Sequence, residues 1–364
     1  TSAGGNTATE TYTLDALGNR IAHSQVSGAW EYDDNHRLTR KGSGNCGQSG
    51  VTCYQYDEAG NLTQKQTASQ TRRYRYDTQN RLIQVQDGND EPIARYGYDP
   101  LDRRIWKEQF RDASAQPLPQ AQRTLYLYAH EGLIAEATQA IELGQGGITI
   151  DLSEPQITTQ YGLWPDGQWG SGPLFIKTRN SNGQASYAYY HHDHRQTPVQ
   201  ATDKAGNIVW AANYNAFGQA SITTPAPSAD KPVITSQLRL PGQYEDPESG
   251  LYYNYRRYYD PETGRYISQD PIGLAGGLNR YRYAEADPIN QIDPTGELAL
   301  PLAPLAWGAA RCMGGCMAGT GLWNAVFGSC DDLGDVTKNC ALECAGGWAL
   351  GKLFGKLRGL GGPP

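Results

Sequence analysis

Residues 74–82 read Tyr74-Arg75-Tyr76-Asp77-Thr78-Gln79-Asn80-Arg81-Leu82, and the fold is decided by how often that phrase returns. Variants are Tyr12-Thr13-Leu14-Asp15-Ala16-Leu17-Gly18-Asn19-Arg20-Ile21, Tyr32-Asp33-Asp34-Asn35-His36-Arg37-Leu38, Tyr54-Gln55-Tyr56-Asp57-Glu58-Ala59-Gly60-Asn61-Leu62 and Tyr96-Gly97-Tyr98-Asp99-Pro100-Leu101-Asp102-Arg103-Arg104-Ile105. Their aspartates (Asp15, Asp33, Asp57, Asp77 and Asp99) are separated by 18, 24, 20 and 22 residues. Alternating Tyr-x-Tyr suits the end of a strand. Asp followed by Gly or Asn makes a tight turn, and Arg-Leu or Arg-Ile opens the returning strand. Repeats near this length predict an array of β-hairpins over residues 1–110, each burying its apolar face on the next. A hollow wall and a solid β-solenoid share that period.

Composition agrees with a mainly β protein. The 364 residues hold 24 Tyr against 5 Phe, with 43 Gly and 21 Pro. A tyrosine ring packs on a strand face while its hydroxyl takes a polar partner. A net charge of −7 argues against nucleic-acid binding by this stretch. The polar start Thr1-Ser2-Ala3-Gly4-Gly5-Asn6 has neither an initiator Met nor a signal peptide, so the chain reads as a fragment of a longer one.

Residues 111–237 read as less regular strands of the same kind, with an inserted loop near 144–172, rich in Gly with Trp and Pro. Strands are expected to resume at Tyr187-Ala188-Tyr189-Tyr190. At residues 299–364 the composition turns to Ala, Leu, Gly and Cys without tyrosine, which predicts a short helical tail. Its Cys312/Cys316 and Cys340/Cys344 pairs each share a helix face. Two disulfides, buried thiols or a four-thiolate zinc site are the readings, with zinc last; Cys330 is odd. The tail's Gly-x-x-x-Gly spacings allow close helix approach, in a bundle or at a membrane.

Between these regions, residues 238–298 crowd tyrosines and turns. They include Gly250-Leu251-Tyr252-Tyr253, Arg256-Arg257-Tyr258-Tyr259-Asp260-Pro261, Gly264-Arg265-Tyr266, Asp270-Pro271-Ile272-Gly273-Leu274, Gly277-Leu278-Asn279 and Asp293-Pro294-Thr295-Gly296. This order resembles the Rhs repeat-associated core domain of bacterial Rhs polymorphic toxins, and the upstream phrase resembles their YD repeat. The resemblance implies a hollow β-cocoon shell, of which this chain would be the C-terminal part. It implies an aspartic self-protease in residues 238–298, and a tail that is a pre-toxin segment or the start of the toxin. The implied partners are the chain's own cleaved C-terminal segment held in the shell, a secretion-machine spike or adaptor, a chaperone and an immunity protein. Delivery by type VI secretion, or secretion as a toxin complex, is implied in turn. The protein would be made in the cytoplasm and delivered into a target cell.

Of six Asp-Pro pairs, only those at Asp270 and Asp293 continue as Asp-Pro-x-Gly, and the second stands at the compositional border. Asp-Pro is in general a turn former. Two carboxylates forced together, however, split their affinities for protons, which suits the activation of water. The resemblance assigns cleavage to Asp270 and Asp293, and Arg265 is expected to hold the dyad or the scissile carbonyl. The family's usual ending is Asp-Pro-x-Gly-Leu, whereas here Glu297 stands between Gly296 and Leu298. Either the cut shifts by one residue, to Leu298–Ala299, or cleavage is impaired.

No cofactor motif is present. His191-His192-Asp193-His194 looks like a metal cluster, but neighbours on a strand face opposite ways, so at most His192 and His194 share a face. Cys46 and Cys53 bracket a Gly/Ser loop that a disulfide can close. The reading from another class is a non-catalytic repeat surface protein that binds glycans or partner proteins through its tyrosines.

Overall fold

The computed structural model describes residues 10–164, 169–179, 183–224 and 234–302. The helical tail, its cysteines and its membrane contact therefore lie outside the described residues, apart from the first few positions. Residues up to Leu300 form one compact unit.

Each repeat folds as the sequence predicts, and the turn shows why. In the unit at Asp77, Oδ1 accepts the amides of Gln79 (2.9 Å) and Arg81 (3.0 Å), and Oδ2 accepts from Arg81 Nε (2.8 Å). Asp33 and Asp99 repeat the pattern with Arg37 and Arg103; Asp15 and Asp57 do so with Asn19 and Asn61. The third residue after Asp must be left-handed. Gly60 takes φ +82° there and Asn80 +61°, which is why Gly or Asn recurs at that point.

The tyrosine before the aspartate ties one unit to the last. At Tyr32, Tyr56 and Tyr76 the strand register slips by a bulge, which re-aims the ring. The hydroxyls of Tyr32, Tyr76 and Tyr98 then donate to the carbonyls of Arg20, Leu62 and Leu82, each on the preceding hairpin, and Tyr128, which precedes no aspartate, does the same to Arg104. Tyr-Asp is thus a two-part device: Asp closes its own turn and Tyr reaches back.

Among the described residues, seventeen antiparallel strands, from Trp30–Tyr32 to Ala220–Thr223, join into one continuous sheet in which nearly every strand pairs with its neighbours in sequence. The stretch near 144–172, expected to be a loop, instead contains the strands Thr149–Asp151 and Gln156–Gly162. Both pair along the twelve-residue strand Gly132–Leu143, whose length leaves room for two partners on one edge. Cys46 and Cys53 form a disulfide with Cα atoms 5.7 Å apart.

Residues 238–298 pack against the buried face of this wall. Trp30, Tyr54, Tyr74, Tyr96 and Tyr126 of the wall share one apolar cluster with Tyr244, Leu251, Tyr253 and Tyr258 of the core domain. At the most deeply buried pairs the wall supplies the cation and the core the carboxylate. Arg104, fully buried, pairs with Asp246 and stacks on Tyr126 and Tyr253. Lys107 Nζ lies 3.0 Å from Asp246 and 3.1 Å from Glu248, and Lys65 reaches Asp260 and Glu262. Charges this deep must be paired, so removing one partner is far costlier than losing a surface pair.

Candidate active site

The core domain is a four-stranded meander of short strands, Tyr244–Asp246, Leu251–Asn254, Arg257–Asp260 and Arg265–Tyr266. The register Asn254↔Arg257 leaves a two-residue turn, Tyr255-Arg256. Residues directly opposite in an antiparallel pair project to the same face, so Asn254 and Arg257 act together. Tyr266 is paired with Tyr259, which has the same parity as Arg257 and shares that face.

Onto this face come the two aspartates. One nitrogen of the Arg257 guanidinium lies 2.9 Å from Asp270 Oδ2 and 3.4 Å from Asp293 Oδ2. Arg257, Asp270 and Asp293 are all buried. Tyr266 donates its hydroxyl to Asp293 Oδ2 (2.8 Å), and Asn254 Nδ2 donates to the Tyr266 hydroxyl (2.8 Å) and the Asp293 carbonyl (2.9 Å). The Arg257 guanidinium lies over the Tyr266 ring, 3.6 Å from its centre.

The second motif folds its own continuation onto the dyad. Asp293 Oδ1 accepts the amides of Glu297 (3.0 Å) and Leu298 (3.2 Å), and Arg257 Nε donates to the Gly296 carbonyl. Gly296 has φ +72°, and a Cβ there would stand 2.5 Å from the Asn254 carbonyl oxygen. The extra residue Glu297 is absorbed in this turn, and Leu298 itself is exposed. Asp270 accepts less: the Ile272 amide at 3.1 Å, and Arg257. Burial raises its proton affinity above the ordinary aspartate value, Arg257 opposes that rise, and the charges of Asp293 and Glu297 add to it. Burial also lifts the Tyr266 phenol well above its usual value, which keeps it a donor.

Arg265 does not join this group, contrary to the expectation from sequence. It points to the other face and donates to Asn19 Oδ1 (2.8 Å) and the His36 carbonyl, so it docks the core to the first repeats. Adjacent strand residues face opposite ways; once Tyr266 faces the dyad, Arg265 cannot. Arg257 takes the place expected for it. Reading Leu251–Asp260 as a hairpin with a two-residue turn would have paired Asn254 with Arg257, but nothing in the sequence says which face meets the aspartates. The histidines also go elsewhere: His191 bonds to Thr202 and His194 to the Ile289 carbonyl, while Asp193 closes a repeat-type turn.

The Teneurin YD-shell family matches residues 1–124, and the RHS protein family matches residues 188–221. Toxin protein Tse5 of Pseudomonas aeruginosa is 32% identical over 338 residues, 84% of this chain and 25% of the relative. The chain belongs to the Rhs/YD-repeat toxin family. Double-stranded DNA deaminase toxin A of Burkholderia cenocepacia is 34% identical over 247 residues, 67% of this Rhs chain and 17% of the relative. The probable deoxyribonuclease RhsB of Dickeya dadantii is 32% identical over 266 residues, 71% and 16% respectively. The chain therefore spans a quarter or less of the length of these relatives. Among solved structures, TcdB2-TccC3 aligns with a TM-score of 0.47 at 19% identity, covering 79% of this chain and 17% of that one.

Proposed function

We propose that this Rhs chain is the closing part of a shell that encloses a C-terminal toxin and frees it by cutting itself after Leu298. One observation carries the reading: Asp270 and Asp293 share a guanidinium nitrogen, and Asp293 also holds the amide of Leu298, next to the bond to be cut. Asp270, the carboxylate with fewer donors, its own proton affinity raised by burial, takes a proton from water as that water attacks the Leu298 carbonyl carbon. The C–N bond to Ala299 breaks, the same proton passes to the Ala299 nitrogen, and Leu298 is left as a carboxylic acid, which ionises by giving the water's second proton to the new amine. Arg257 offsets the repulsion between the two acids and fixes Gly296; Asp293 holds the segment still. The reaction runs once per chain, because the substrate is the chain. In this reading the partners are the released segment inside the shell and the machinery that delivers it.

Intact-mass measurement of the expressed chain tests this. The expected products are residues 1–298 and 299–364. A single uncut species would end the proposal, and a cut elsewhere would reassign the bond.

A further inference from the structure

The turn that presents Arg257 is held from outside the core domain. Tyr255 and Arg256 form that turn, with Tyr255 at φ +51°, a conformation that L residues adopt only when surroundings impose it. The surroundings are the wall. The Tyr255 hydroxyl donates to the Leu101 carbonyl (2.9 Å), and Arg256 pairs with Asp102, both in the repeat turn of Asp99. Trp169 stands between Tyr128 of the wall and Tyr255, with ring centres 5.6 and 4.8 Å apart, stacked on both sides. Two residues before Tyr255, the Tyr253 hydroxyl accepts the Arg104 amide (2.8 Å). Along Tyr253-Asn254-Tyr255-Arg256-Arg257 the first, third and fourth residues therefore bind the wall, while the second and fifth bind the dyad. Arg256 also ties down the cleavage segment, since its amide donates to the Thr295 carbonyl (3.2 Å).

We infer that Asp102 and Trp169 of the wall are positioning residues for the self-cleavage, setting Arg257 between the two aspartates through Tyr255 and Arg256. Resting on the cleavage proposed above, this makes closure of the wall over the core a condition for cutting. A chain whose repeats have not yet assembled carries both aspartates but not the clamp that aligns their shared cation, so cargo is cut free only inside a formed shell.

The test is a time course of cleavage of the full chain in cell-free translation, read by intact mass. Trp169→Ala and Asp102→Asn are expected to slow cleavage by about tenfold or more, since small displacements of a positioning group carry penalties of that order. Trp169→Phe, which keeps a stacking ring, and Asp102→Glu, which keeps the charge, are expected to recover most of the rate. The pH dependence of the slowed variants stays that of the wild type, because neither residue exchanges a proton with the substrate. Asp102→Asn preserves the shape of the turn, so it remains readable if Trp169→Ala does not fold. Wild-type cleavage in Asp102→Asn, or slowing that Asp102→Glu does not relieve, overturns the coupling while leaving self-cleavage intact. An uncut wild-type chain overturns both.

Discussion

The repeat aspartates and the core aspartates alike stand three residues before a left-handed position, Asn80 in one case and Gly273 and Gly296 in the other, and end in opposite states. Asp77 spends all its acceptor capacity within four residues, Oδ1 on two amides and Oδ2 on Arg81. Asp293 also spends Oδ1 on two amides, but on those of Glu297 and Leu298, four and five residues on. The side chain of Glu297, however, cannot donate as that of Arg81 does. Asp293 Oδ2 turns instead to Tyr266 and Arg257, 27 and 36 residues away in sequence. One lost local partner converts a self-contained turn into a group that can be shared. Burial then makes the sharing consequential, because charges couple more strongly away from water.

The sharpest way to break this comparison is to neutralise one aspartate of each kind. Asp270→Asn or Asp293→Asn is expected to slow cleavage by about a thousandfold or more, the scale of losing a general acid or base. Asp77→Asn is expected to cut like the wild type by intact mass. Equal cleavage in all three variants would erase the distinction.

Next in size is the shared cation. Arg257→Met leaves two buried carboxylates facing each other, and cleavage should fall by about a hundredfold. Arg257→Lys should fall between, because an ammonium cannot serve both acids and the Gly296 carbonyl in one plane. A Met variant that cuts faster than the Lys variant would argue that the cation is structural.

The pH profile refines the assignment of roles. Asp270 is held above the ordinary aspartate value of 3.8 by burial. As a base it must be ionised, so cleavage is lost as pH falls through that raised value, by about tenfold per pH unit below it. The acid limb should therefore lie above 3.8. A limb at or below that value, in rates taken on folded protein, would remove Asp270 from the role of base.

The smallest effect belongs to the wall. Tyr98→Phe deletes the hydroxyl that bonds the Leu82 carbonyl, at a cost of about 1 kcal/mol. In a unit of this size that should lower the melting temperature by about 2 °C, read by calorimetry, with cleavage unchanged. A slower cut in this variant would extend the wall's influence on the dyad beyond the Asp102 and Trp169 contacts.

Much of this was legible beforehand. The Tyr-x-Tyr-Asp phrase announces its hairpin because every partner of its aspartate lies within four residues, and Gly60 and Asn80 mark the left-handed position. The pair Asp270 and Asp293 stood out by the phrase Asp-Pro-x-Gly and by the border after Leu298. The stretch near 144–172 was misleading, since its glycines conceal two strands, both paired along Gly132–Leu143 and the second also with Phe175–Arg179. Arg265 misled for a related reason: it is next to Tyr266 in sequence and on the opposite face in space.

Local chemistry, written in single repeats, was thus enough to specify turns, strand alternation and the two acids, because those interactions close over a few residues. Only the folded chain decided which arginine meets the acids, and that the wall grips the turn carrying it. Facing and register depend on pairings between residues far apart in sequence, and no short phrase contains both partners.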